Sequence, residues 1–281
     1  MKFGPVAVSE AEGAVLAHSV ALGVTRLRKG RVLTPGDLQD LSAAGYSTLT
    51  VARLDSDDLS EDVAALALAR ALVPDPQAAG LVLKPVSTGR VNIIAQGPGV
   101  FCVNAKPVHA VNQVDPAITV ATLPDLMRVD AGAMVATVKI IAYGVAASAV
   151  TAASLAGHGA LRLAPPVLSR ASLIQTRVQP HEDGTKGHAV TAARLERLGV
   201  GLDPLCLVPH QVEPLAQALR RAQGELVLIL TGSATSDLHD IAPEALRCAG
   251  GHVAHFGMPV DPGNLLFLGN LGARPVIGLP G

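Results

Sequence analysis

Tryptophan is absent from this 281-residue chain, and four Phe with two Tyr bring the aromatic share to only 2%. That scarcity removes the stacking platforms on which single-stranded nucleic acids are bound. Neither sign of charge dominates, since 22 Lys and Arg stand against 23 Asp and Glu. No strongly basic surface for a nucleic-acid backbone is expected. Cysteine is scarce too: Cys102, Cys206 and Cys248 lie far apart without a CxxC pair, which reads as reduced, intracellular and mostly core thiols. The N-terminal "MKFGPVAVSEAEG" lacks the apolar core and cleavage site of a signal peptide. A single stretch, Ile140 to Leu161, carries no Asp, Glu, Lys or Arg. Ala, Ser, Thr and Gly fill much of it, so it reads as a strand end and a small-residue helix rather than a membrane span. The expected setting is cytoplasmic, with neither membrane nor nucleic acid as partner.

What is present is aliphatic. Hydrophobic residues make up 49% of the chain, so Ala, Val and Leu must build the cores, as suits close-packed α/β layers. Punctuation divides the chain into an N-terminal α+β region (1–76), a β-rich middle (77–167) and an α/β domain (168–281). In the first region, "LTPGDLQDLSAAG" places Thr34 as a helix cap, Pro35 at the first helical position and Gly45 at the stop. The second holds strand-like runs such as "RVNIIA", "GVFCVN" and "MVATVKII", with a short helix at "KPVHAVNQV". Its His109 sits beside apolar residues and reads as a surface or core histidine.

From Leu168 the pattern alternates strand and helix. "VEPLAQALRRAQ" sets Val212, Leu215, Leu219 and Ala222 on one helical face. "ELVLIL" is the continuous apolar run of a central parallel strand buried on both sides. The expected fold class is α/β, with a C-terminal parallel-sheet, three-layer domain preceded by smaller α+β and β-rich regions. Ligands on such sheets bind beyond the carboxyl ends of the strands.

The loop "LTGSATSDLHDIAPEAL", Leu230 to Leu246, leaves such a strand end. Gly232 allows close backbone approach, Thr231, Ser233, Thr235 and Ser236 offer hydroxyls, and the N–H groups before the next helix suit an anion. Asp237 and Asp240 are candidates to accept hydrogen bonds or to hold a divalent cation. An ordinary turn rich in Ser, Thr and Asp is the competing reading. No phosphate loop, dinucleotide fingerprint or nucleophile elbow occurs. In "HVAHF", His252 and His255 are three apart in a strand and are expected on opposite faces. "PHED", Pro180 to Asp183, reads as a solvated turn.

These residues resemble a known family. "LTGSATSDLHDIAPEAL" is similar to the central motif of molybdenum-cofactor biosynthesis proteins, T-G-G-T-G, four residues, D-V-T-P-E-A. Thr231 and Gly232 match its start, and Asp240, Pro243, Glu244 and Ala245 its end. "VDPGNLLFLGNLGARPVIGLPG" resembles the molybdotransferase P-G-K-P and P-V-F-G-L-P-G elements, while "EAEGAVLAHSV" and "LRKGRVLTPGDLQDLSAAGYSTLTV" resemble that branch near its N-terminus.

The resemblance implies a molybdopterin-binding α/β domain, of molybdotransferase or adenylyltransferase type, acting in cofactor biosynthesis. It implies that Thr176, Thr231, Gly232, Ser233, Thr235, Asp237, Pro262, Gly263 and Asn264 contact the pterin ligand. Asp240 is then the catalytic candidate and the one for Mg²⁺. Ser233 stands where the second family glycine is expected, Arg177 replaces a glycine, His210 an aspartate and Asn264 a lysine. The molybdotransferase S-A-M-D-G-Y signature is replaced by "VALGVTRLRKG". These departures favour binding of molybdopterin, or of its adenylylated or molybdenum-loaded form, over catalysis. The alternatives are an active transferase that inserts molybdate or uses Mg-ATP, and a non-catalytic oligomerisation or interaction module. Expected partners are a second copy of the chain and a nucleotidyltransferase domain or protein, since the family continues beyond "GLPG" and the domain reads as truncated there.

Overall fold

The computed structural model describes residues 1–261 and 263–280. The chain divides into two compact units, Met1–Pro165 and Pro166–Gly281.

The first unit opens with β1 (Lys2–Ala7), β2 (Val15–Leu16), β3 (Val20–Leu22), β4 (Thr25–Leu27), α1 (Pro35–Ala43) and β5 (Thr48–Arg53). A three-stranded sheet of order β1-β5-β2 packs on α1 through Leu16, Leu33, Leu41 and Val51, all buried. Helix α1 begins as its sequence requires. Thr34 Oγ1 accepts the Asp37 N–H at 3.3 Å, and Asp37 Oδ2 accepts the Thr34 N–H at 3.0 Å. This reciprocal pair satisfies two N–H groups that a helix start otherwise leaves open. Gly45 follows with φ +85°, a left-handed turn that glycine adopts without a Cβ penalty.

The unit continues with β6 (Asp58–Ser60), α2 (Glu61–Leu72), β7 (Leu81–Pro85), β8 (Arg90–Ala95), β9 (Gly99–Val103), α3 (Ala105–Asn112) and β10 (Ile118–Thr122). β11 (Met127–Val129), β12 (Met134–Ile140), β13 (Gly144–Ala146), α4 (Ala147–Ala156) and β14 (Leu161–Ala164) complete it. Antiparallel sheets of order β10-β12-β8-β7 and β11-β9-β14 share a core of Leu68, Leu72, Ile93, Phe101, Ile118 and Ile140. β10 is an edge strand, and the α3 residue Asn112 closes it. Asn112 Nδ2 donates to the Val120 carbonyl at 2.9 Å, and the Val120 N–H donates to Asn112 Oδ1 at 2.7 Å. The uncharged stretch 140–161 forms the end of β12, then β13 and the ten-residue α4. Among the described residues no helix is long and apolar enough to cross a membrane.

The second unit comprises β15 (Arg170–Arg177), α5 (Thr185–Glu196), β16 (Gly201–Leu202), β17 (Cys206–Pro209), α6 (Val212–Arg221), β18 (Leu226–Leu230), α7 (Ile241–Cys248), β19 (His252–Phe256), β20 (Phe267–Leu271) and β21 (Arg274–Leu279). Among the described residues these strands form one sheet of order β16-β15-β18-β21-β20-β19, with β17 also paired to β15. Alternation along the strands builds three layers. Leu173 and Leu228 face a cluster with Leu195 of α5, whereas Ile174, Val227 and Ile229 face Leu215 and Leu219 of α6 and Leu246 of α7. "ELVLIL" is the expected central strand, buried on both faces.

The sheet is parallel from β16 to β21 and turns antiparallel beyond it, where β20 returns against β21 and β19 against β20. The expected parallel sheet is thus present and carries two antiparallel strands at one edge. Gly272, at φ +60°, lets the chain reverse in a tight hairpin, so no helical crossover is needed. A bulge between Val253 and His255 overturns the expectation for "HVAHF". The extra residue breaks the two-residue alternation, so Val253 and Phe256 both pack inward while His252 and His255 are both exposed. Cys248 is exposed rather than a core residue, and Cys102 and Cys206 are half-buried.

Candidate functional site

β15, β17, β18 and β21 run in one direction, and β19, two antiparallel steps from β21, shares it. The segments that follow β15, β18 and β19 therefore leave the same edge of the sheet. They carry the "PHED" turn, the 231–240 loop and the 257–266 loop.

At this edge the end of β15 meets the end of β18 through Thr176. Its Oγ1 accepts the Gly232 N–H at 2.9 Å and lies 2.8 Å from His210 Nδ1. Thr176 thus links the Gly232 backbone to the His210 ring. A Cβ on Gly232 would sit 2.7 Å from the Thr176 carbonyl oxygen. The glycine is thus accounted for by close approach of the chain to itself. Thr231 and Thr235 are both buried, with hydroxyls 3.4 Å apart. They brace the loop from inside. Ser233, Ala234 and Thr235 present backbone N–H groups that no protein acceptor takes among the described residues.

Asp240 is the N-cap of α7. Its Oδ1 accepts the Ile241 N–H at 2.7 Å and its Oδ2 the Ser236 N–H at 3.1 Å. Asp237 Oδ1 accepts the His239 N–H at 2.7 Å. Both aspartates hold the loop in shape with these oxygens. Among the described residues no three His, Cys, Asp or Glu side chains converge as a metal-ligand set.

A cleft of about 270 Å³ opens between these strand ends and the start of α5. Three of the residues singled out from sequence, Thr176, Thr231 and Gly232, line it together. Ser233, Thr235, Asp237 and Asp240 belong to the same loop but not to that lining. Gly263 and Asn264 lie in the 257–266 loop, where the Asn264 carbonyl accepts the Met258 N–H at 3.0 Å. β20 and β21 intervene between β18 and β19, a separation of about 14 Å at ordinary strand spacing. Pro262 lies outside the described residues.

The lining also includes Gln175, Lys186 and Gly187, which sequence reasoning passed over, and Glu182 and Asp183, which it read as part of a solvated turn. The "PHED" turn forms a wall of the cleft. Applying the strand-end rule to the first strand–helix connection, and not only to the central one, would have found it. Glu182 accepts the N–H groups of Val178 at 2.8 Å and Gln179 at 3.2 Å. These bonds, Gln179 foremost, hold its carboxyl below the usual range. Asp183 is lowered likewise, by the Thr185 N–H and then the Thr185 hydroxyl. The cleft therefore combines two carboxylates, the Lys186 side chain and a buried amide, while the N–H groups of Ser233 to Thr235 follow Gly232 outside its lining.

Comparison with known proteins finds matches of low similarity. Residues 5–53 match a family described as a domain of unknown function (DUF8806). No curated protein matches the chain. Among solved structures, the chain is similar to the molybdopterin biosynthesis moea protein from Pyrococcus horikosii, at 12% identity and a TM-score of 0.33, over 100% of this chain and 70% of that one. It is also similar to the protein CinA with unknown function from Thermoplasma acidophilum, at 17% identity and a TM-score of 0.29, over 41% of this chain and 89% of that one.

Proposed function

We propose that the second unit binds molybdopterin, or its adenylylated or molybdenum-loaded form, in the cleft at the ends of β15 and β18. The observation that carries this reading is the meeting of Thr176, Thr231 and Gly232 in one cleft. Those positions come from two separate segments, both among the residues that the family resemblance marks. The chemistry suits a small anionic heterocycle: a concave site with few polar groups, a Lys at the rim, and free N–H donors before a helix.

The ligand is cargo or substrate here. Both Asp240 oxygens accept backbone N–H groups and the residue is outside the cleft lining, so Asp240 as it stands does not fit a Mg²⁺ ion shared with the ligand. Binding requires no step through such an ion.

Anaerobic titration of the full chain with molybdopterin, and separately with its adenylylated form, tests the reading. Saturable binding of one ligand per chain is expected, and Lys186→Ala, at an exposed position, should weaken it about 5- to 10-fold through loss of one charge-assisted contact. No binding of either form refutes it.

A further inference from the structure

Three side-chain oxygens on residues that line the cleft take no hydrogen bond among the described residues. Gln175 is 5% exposed, and its Nε2 donates to the Gly184 carbonyl at 2.8 Å, which assigns the orientation of the amide. Its Oε1 has no partner among the described residues, yet no buried side-chain oxygen among them is left unsatisfied. Oε1 is therefore not sealed in the core, and the residue that carries it lines the cleft. Gly187 of α5 makes room for it, since a Cβ there would overlap Gln175 Oε1.

The two carboxylates are presented in the same half-engaged way. Glu182 takes both of its N–H donors on Oε2, which leaves Oε1 open. Asp183 takes the Thr185 N–H at 3.0 Å and the Thr185 hydroxyl at 2.9 Å on Oδ1, leaving Oδ2 open. Each carboxylate is thus pinned by one oxygen and offers the other.

Acceptors so arranged call for a donor-rich partner. A divalent cation fits less well, because the Lys186 ammonium lines the same cleft and about 270 Å³ is far more space than one ion fills. We propose that Gln175, Glu182 and Asp183 read the amino-pyrimidinone edge of a bicyclic heterocycle, where a ring N–H and an exocyclic NH₂ stand side by side. Each of these donors can be taken by one open oxygen, as separate charge-assisted bonds to Glu182 and Asp183. The assignment rests on the cofactor reading for the class of occupant, and it adds which wall takes the ring. The ligand's anionic end is left to Lys186.

The test compares pterin (2-amino-4-oxopteridine) with lumazine, its 2,4-dioxo analogue without the amino donor, by fluorescence titration of the full chain. Pterin should bind at least about 10-fold more tightly than lumazine. Glu182→Gln, which keeps the turn's acceptor oxygen, should lower pterin affinity about 10- to 100-fold and leave lumazine unchanged, as loss of a charge-assisted bond requires. Asp183→Asn provides a second variant, with far-UV circular dichroism confirming the fold of each. Equal affinities for the two heterocycles, no binding of pterin, or Mg²⁺ binding that Glu182→Gln abolishes without any pterin binding would each overturn the proposal. Molybdopterin binding without pterin–lumazine discrimination overturns this assignment alone. Discrimination, with molybdopterin no tighter than pterin, overturns the cofactor reading and leaves the wall assignment standing.

Discussion

Replacing Thr176 with valine separates shape from hydrogen bonding at the cleft. The two side chains are nearly isosteric, but the hydroxyl that accepts the Gly232 N–H at 2.9 Å and faces His210 Nδ1 at 2.8 Å disappears. Thr176 is 5% exposed, so the added methyl is buried and returns up to about 0.8 kcal/mol. Against that, the Gly232 N–H loses its acceptor, at about 1–3 kcal/mol for a donor left unsatisfied. His210 is half-exposed, and its ring nitrogen regains water at little cost. The balance is a destabilisation of about 1–2 kcal/mol. Thr176→Ser keeps both bonds and forfeits only a methyl, about 0.5–1 kcal/mol. Urea unfolding of both variants measures the difference, and amide exchange at Gly232 localises it. A valine variant at least as stable as the serine variant, with Gly232 exchanging no faster than in the parent, would refute the account of how β15 holds the loop.

Two further outcomes follow from groups elsewhere in the fold. The Asp37 carboxyl is held below its usual range by the Arg31 guanidinium first, with the Thr34 N–H and hydroxyl adding to it. Its contribution is complete above the unfolded value of about 3.9 and is lost as pH falls through the lower folded value. Asp37→Asn should cost about 1 kcal/mol at pH 7 and flatten the acid limb of the stability–pH curve below about pH 4, as thermal unfolding from pH 2 to 7 will show. Cys248 is exposed, whereas burial pushes the half-buried Cys206 thiol up. Peptide mass spectrometry after maleimide treatment at pH 7 should find Cys248 labelled at least about 10-fold faster, and equal rates would contradict the assigned burial.

Local rules were legible and tertiary ones were not. The α1 start could be read from Thr34, Pro35 and Gly45 because capping is settled within one turn of chain. The burial of α6 followed from Leu215 and Leu219 at helical spacing, and the central strand from "ELVLIL". β20 escaped notice because Gly269 and Asn270 interrupt its apolar pattern, and its partner strand across Gly272 settles its conformation. The parity of His252 and His255 depends on a bulge, which is a property of two paired strands rather than of one sequence. The cleft was half legible. Thr176, Thr231 and Gly232 were marked by motif, but the acceptor wall joins Gln175 to the turn at Glu182 and Asp183, and only the approach of α5 to the end of β15 places them together.

Asn112 carries a consequence for how copies of this protein behave toward one another. Its amide exchanges a donor and an acceptor with Val120, the same exchange that a neighbouring strand makes. Toward β10, one side chain of α3 acts as a strand a single residue long. A foreign strand approaching that edge meets a rung already occupied, so β10 offers no continuous template for addition of another chain. Aspartate in its place would still accept from the Val120 N–H but would have nothing to donate to the carbonyl. The edge would then be reopened by the exchange of one nitrogen for one oxygen.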